Sequence, residues 1–148
     1  MLLNYLVLRN FRNYVDCEVD FPDRVNLIIG ENAQGKTSLL EAIYFLSTAK
    51  SHRTYPDDEL IRHNENWFYL KGIIASTLGQ SPDRSGQALL RESGAPHSPD
   101  VVGNGLYSNL MTVEVSNELS GKKRFKLDGT LQHKLSQWIG QFNVIFFS

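Results

Sequence analysis

Residues Gly30-Glu31-Asn32-Ala33-Gln34-Gly35-Lys36-Thr37 decide the fold of this chain, because they complete the glycine-rich pattern of a phosphate-binding loop. With glycine near 7% of ordinary composition, its four fixed positions coincide by chance roughly once in 200 chains of this length. The flanks have the required character. Val25 to Ile29 is a β-branched run that predicts a buried strand ending on Gly30. Lys36 to Ala49 places Leu39, Leu40, Ile43, Leu46 and Ala49 at helical spacing and predicts a helix with that apolar face. In such a strand-loop-helix unit the backbone N–H groups converge on the β- and γ-phosphates, and the helix dipole favours the anion. Gly30, Glu31, Asn32, Ala33, Gln34, Gly35, Lys36, Thr37 and Ser38 are therefore the expected nucleotide-binding residues. Lys36 is expected to neutralise phosphate charge, and the Thr37 hydroxyl to ligate magnesium.

Composition sets the class. The 148 residues are 41% hydrophobic and 21% charged, which fits one globular domain with a real core. A net charge of −1 gives no global cationic field, so nucleic-acid contact needs a local patch or further protein. The single Cys17 excludes an intramolecular disulfide and is expected to be a buried small hydrophobe on the face of Val15, Val19 and Phe21. No apolar run approaches a membrane span and no leader is visible after Met1, so the expectation is a cytoplasmic protein without a membrane partner.

Outward from the loop, Tyr5 to Arg9 and Tyr14 to Phe21 read as an antiparallel pair joined by Asn10 to Asn13, with Asp16, Glu18 and Asp20 facing water. Lys50 to Thr54 is a basic loop, Asp57 to Ile61 a short helix start, and Trp67 to Ile74 a strand. Residues 80–105 hold three of the five prolines and four of the eleven glycines, which predicts a flexible insertion or loop. Leu110 to Ser116 and Arg124 to Asp128 read as a hairpin around Gly121. Leu131, Leu135, Trp138 and Ile139 mark one face of a second short helix stopped by Gly140, and Phe142 to Phe147 reads as a buried strand. The expected architecture is α/β: one nucleotide-binding lobe over residues 1–148, with a mixed, largely antiparallel sheet carrying the phosphate-loop helix.

Asn10-Phe11-Arg12-Asn13-Tyr14, the loop, Leu40-Glu41-Ala42-Ile43-Tyr44, Lys50-Ser51-His52-Arg53-Thr54 and Glu59-Leu60-Ile61 together resemble the N-terminal part of the bacterial RecF family of DNA replication and repair proteins. The resemblance is dense over residues 1–76 and looser over 109–148. It implies the P-loop NTPase fold of an ABC-type ATPase head related to SMC and Rad50 proteins. Such heads bind ATP, dimerise around it as homodimers and engage single-stranded or gapped DNA. The resemblance also implies assistance to RecA loading, recombination mediator partners and a place in the SOS response. It puts Arg12 and Asn13 beside the nucleotide and gives Arg53 to nucleotide phosphate or DNA backbone, where a planar fork of donors suits either oxyanion. Read as bare residues, both arginines are solvated surface groups.

Two departures matter. ATP hydrolysis in that family needs an apolar strand ending in an acidic pair and a serine-glycine signature offered across the dimer. No four-residue apolar run here ends in Asp or Glu, and Leu119-Ser120-Gly121 reads as a hairpin turn rather than a signature. The chain is thus expected to be truncated, to bind ATP without a catalytic residue of its own, and to lack hydrolysis alone. A P-loop small-molecule kinase and a pure nucleotide-binding module are the rival readings. Stimulation by DNA separates the first rival from a repair ATPase.

Overall fold

The computed structural model of the chain describes residues 1–22, 25–76 and 109–139. Strand β1 (Leu2–Phe11) and strand β2 (Tyr14–Asp20) form a hairpin whose two-residue turn is Arg12-Asn13. Helix α1 (Lys36–Thr48) follows the phosphate loop. Strands β3 (Trp67–Ser76), β4 (Asn109–Glu118), β5 (Lys123–Leu127) and the short β6 (Thr130–Gln132) complete a six-stranded sheet of order β2-β1-β3-β4-β5-β6. Single 3-10 turns lie at Asp57–Leu60 and Leu135–Gln137.

Alternation explains the core. Leu6 and Leu8 of β1, Phe68, Leu70 and Ile74 of β3, and Val113 and Val115 of β4 point to one face and are buried. Helix α1 lays Leu39, Ala42, Phe45 and Leu46 on that face, and Phe45 meets Phe68 edge-on at 5.6 Å. Gly72 lets the helix approach: a Cβ there would stand 3.2 Å from Leu46 Cδ1 and 3.1 Å from Val113 Cγ2. The indole N–H of buried Trp138 donates to the Leu46 carbonyl at 2.8 Å, satisfying one of the acceptors that the helix C-terminus leaves open.

Several expectations are corrected. Val25 to Ile29 is not a strand: no described strand lies beside it to supply ladder hydrogen bonds, and Val25, Leu27 and Ile29 are exposed. Every strand pair among the described residues is consequently antiparallel, so the parallel part of the expected mixed sheet is not seen there. The buried face of α1 is rotated from the one read, with Leu40 exposed and Ala42 and Phe45 in the core. The second helix is replaced by β6 and one 3-10 turn, because Asp128 and Gly129 both take positive φ, the geometry of a two-residue hairpin turn, and send the chain back along β5. Cys17 is half-buried rather than buried, since β2 is an edge strand; burial, then the neighbouring Asp16 and Glu18, push its thiol pKa up. The turn at Leu119 to Gly121 stands as read, with Gly121 at φ 78°. The insertion over 80–105 and the strand over 142–147 lie outside the described residues.

Candidate functional site

The phosphate loop turns on two left-handed residues, Ala33 at φ 65° and Gly35 at φ 98°. Gly35 is the N-cap of α1 and brings no side chain to its first turn, which also holds no acidic residue. The helix therefore begins with its positive end uncapped by any side chain, the state in which an oxyanion is the natural partner. Residues Gly30 to Gln34 are exposed, Thr37 is exposed, and Lys36 and Ser38 are half-buried. The Lys36 ammonium curls back onto the loop and donates to the carbonyls of Gly30 at 2.7 Å and Glu31 at 2.6 Å. A triphosphate entering the loop offers that ammonium a charged acceptor in place of two neutral ones, a stronger hydrogen bond. The residues present thus fit a nucleotide, and the exposed Thr37 at the helix start carries a hydroxyl of the kind that would ligate magnesium.

The loop does not stand alone. The β1-β2 turn packs directly against its last glycine: a Cβ on Gly35 would lie 2.6 Å from Asn13 Nδ2 and 2.9 Å from the Tyr14 hydroxyl. That hydroxyl donates to the Gly35 carbonyl at 3.2 Å. Asn13 is therefore at the loop, whereas the hydrogen-bond partners of the Arg12 guanidinium lie outside it. Arg12 grips Glu41 of α1 with Nε and Nη2 at 3.0 and 2.8 Å and also donates to the Glu59 carbonyl and the Thr54 hydroxyl.

Glu41 is the residue that sequence reading passed over. Its carboxylate is fully buried and accepts from Arg12, from the Ser51 hydroxyl at 2.6 Å and from Arg53 at 3.4 Å. Burial alone raises its pKa, but the hydrogen bonds from Arg12 and Ser51 and the charges of Arg12 and Arg53 outweigh that and hold it below the ordinary carboxylate value. One signal was available: Glu41 lies four residues before Phe45, inside the buried stripe, and a charge there requires a partner. Arg53 remains half-exposed, its guanidinium reaching the Glu41 carboxylate at 3.4 Å.

Among the described residues no cluster of three or more His, Cys, Asp or Glu is arranged to hold a metal, and no helix is long and apolar enough to cross a membrane. A magnesium site built on one hydroxyl and nucleotide phosphates needs no such cluster.

Comparison with known proteins places this geometry. Residues 1–131 match the AAA ATPase domain family. The chain is 40% identical to the DNA replication and repair protein RecF of Bacillus mycoides and 38% identical to that of Bacillus cytotoxicus, in each case over all 148 residues. It spans 31% of the length of these relatives. A solved structure of the recombination mediator protein RecF with ATP superposes with a TM-score of 0.74 at 29% identity, covering 99% of this chain and 31% of that one. The SMC head domain from Thermotoga maritima shares the fold at a TM-score of 0.60 and 19% identity, with 93% of this chain and 40% of that one covered. The chain belongs to the AAA ATPase domain family and, within it, matches the N-terminal part of the RecF proteins.

Proposed function

We propose that this chain is the ATP-binding lobe of a DNA replication and repair ATPase acting in the cytoplasm. The observation that carries the reading is the loop itself, a left-handed Gly35 opening an uncapped helix N-terminus beside a half-buried Lys36. Gly30 to Ser38 hold the ATP phosphates, Lys36 exchanges its loop carbonyls for phosphate oxygens, and Asn13 lies against the same glycine. Thr37 ligates magnesium, which when bound offsets the charge of the β- and γ-phosphates. The nucleotide-bound lobe pairs with a second copy around ATP, engages gapped or single-stranded DNA and supports recombinase loading with mediator proteins. Arg53, exposed at the mouth of the Glu41 cluster, is the candidate phosphate or DNA contact.

Equilibrium titration with a fluorescent ATP analogue and magnesium tests the core of this reading. Lys36→Ala is expected to weaken binding by about tenfold, the loss of one charge-assisted hydrogen-bonding group. Unchanged affinity in a folded variant overturns it. Binding that survives but shows no dimer with ATP and no response to DNA moves the chain to a P-loop kinase or a bare nucleotide-binding module.

A further inference from the structure

Three features converge on one short turn. Arg12 sits in the left-handed region at φ 54°, a conformation that a non-glycine residue keeps only when its surroundings hold it. Its guanidinium makes four hydrogen bonds, two of them to the buried carboxylate of Glu41, and its backbone N–H donates to the Leu60 carbonyl at 2.8 Å. The next two residues, Asn13 and Tyr14, are the ones pressed against Gly35. A rigid path thus runs from Glu41 in the helix through Arg12 to the hairpin turn and back to the N-terminus of the same helix.

We propose that Glu41 is a positioning residue for nucleotide binding, acting through Arg12 to seat the β1-β2 turn on Gly35 and so fix the curvature of the phosphate loop. The inference rests on the phosphate-loop reading above and adds to it a residue that touches neither nucleotide nor metal. Glu41 suits the part because it is anchored where the helix is buried and cannot move without disturbing the core. Arg12 suits it because a bidentate fork fixes orientation as well as distance. Ser51 and Arg53 complete the carboxylate's partners, and the Ser51 hydroxyl also accepts the backbone N–H groups of Arg53 and Thr54. The same clamp therefore sets the turn at 51–54.

The test is a double-mutant cycle on the full chain with a fluorescent ATP analogue and magnesium. Glu41→Gln keeps the shape of the side chain and removes the charge that orients Arg12. It is expected to weaken nucleotide binding by about tenfold, within the range seen for residues that couple to a site without touching it. In an Asn13→Ala, Tyr14→Phe background, which removes the Asn13 amide and the Tyr14 hydroxyl bond from Gly35, the same substitution should leave affinity within about twofold while its cost in thermal stability persists. A merely structural Glu41 would lower affinity equally in both backgrounds, and that result overturns the proposal. Should Glu41→Gln fail to fold, Arg12→Lys, which keeps the charge and loses the fork, enters the same cycle with the same expected outcomes. Lys36→Ala separates the two layers. If it weakens binding while Glu41→Gln leaves affinity unchanged, the positioning role alone falls. If Lys36→Ala has no effect, the phosphate-loop reading falls and the positioning role with it.

Discussion

Gly35→Ala is the most searching single substitution in this chain. The structure names two separate costs. At φ 98° an L-residue sits in a sparsely populated region, which costs of order 1–3 kcal/mol. The new Cβ would also stand 2.6 Å from Asn13 Nδ2, 2.9 Å from the Tyr14 hydroxyl and 3.0 Å from Tyr14 Cζ, overlaps that normally cost about 1–3 kcal/mol to relieve. Asn13 is exposed and Tyr14 only half-buried, so these two side chains can yield and the lower half of each range applies. The sum is about 2–4 kcal/mol. At about 2–4 °C per kcal/mol for a chain of this size, the melting temperature should fall by roughly 4–16 °C.

Thermal denaturation followed by far-ultraviolet circular dichroism measures it, and nucleotide titration on the folded variant gives an independent reading of the loop. Because the two costs have different origins, they separate. Adding Asn13→Ala to Gly35→Ala removes the shortest overlap but not the backbone strain, so it should recover about 1 kcal/mol and no more. A Gly35→Ala chain that melts within about 2 °C of the parent refutes the reasoning. Complete rescue by Asn13→Ala would refute the strain component alone.

Three further outcomes are expected. The carboxyl of Glu41 titrates below the usual 4.5 when folded, so its contribution to stability is fully present above pH 4.5 and is lost as pH falls through the depressed folded value. Guanidinium unfolding as a function of pH should therefore show the parent losing more stability than Glu41→Gln below about pH 4.5, and parallel curves would refute the pairing. Trp138→Phe removes the indole N–H that satisfies the Leu46 carbonyl and should cost about 1–3 kcal/mol, read by the same unfolding experiment, with no change refuting the bond. The 148 residues alone should bind ATP with magnesium yet release phosphate no faster than their Lys36→Ala control, with or without DNA; robust Lys36-dependent turnover would overturn the expectation of a composite site.

What could be read from the sequence followed the range over which each signal acts. The loop, the start of α1, the β1-β2 hairpin and the turn at Gly121 are specified by neighbouring residues, and each lies where the sequence led one to expect. Helix α1 carries apolar residues on two stripes, and periodicity alone cannot say which one docks. The sheet chooses Leu39, Ala42, Phe45 and Leu46 because Phe68 and the gap over Gly72 receive them, both supplied by a strand more than twenty residues away. At the other end, the spacing of Leu131, Leu135, Trp138 and Ile139 fits a helix, but the Asp128-Gly129 turn closes first and pairs the next residues with β5. A local turn with both φ values positive outranks a weak period.

The candidate site follows the same logic in reverse. Its motif is local, but its shape is not. The loop from Gly30 to Gly35 lies mostly in solvent and carries little burial of its own, so it has few internal means of holding one curvature. What confines Gly35 comes from the hairpin turn at Arg12 to Tyr14, and what confines that turn comes from Glu41, six residues beyond the glycine on the far side of the helix start. The Arg12-Asn13 pair therefore divides its labour between adjacent residues, one reaching back to the buried carboxylate and the other reaching forward to the loop. Of the two residues that the family resemblance sets beside the nucleotide, Asn13 packs on the loop glycine and Arg12 holds the buried carboxylate. That is why Arg12 tolerates a left-handed backbone: the strain is held by four side-chain hydrogen bonds, two of them to Glu41, and one backbone bond.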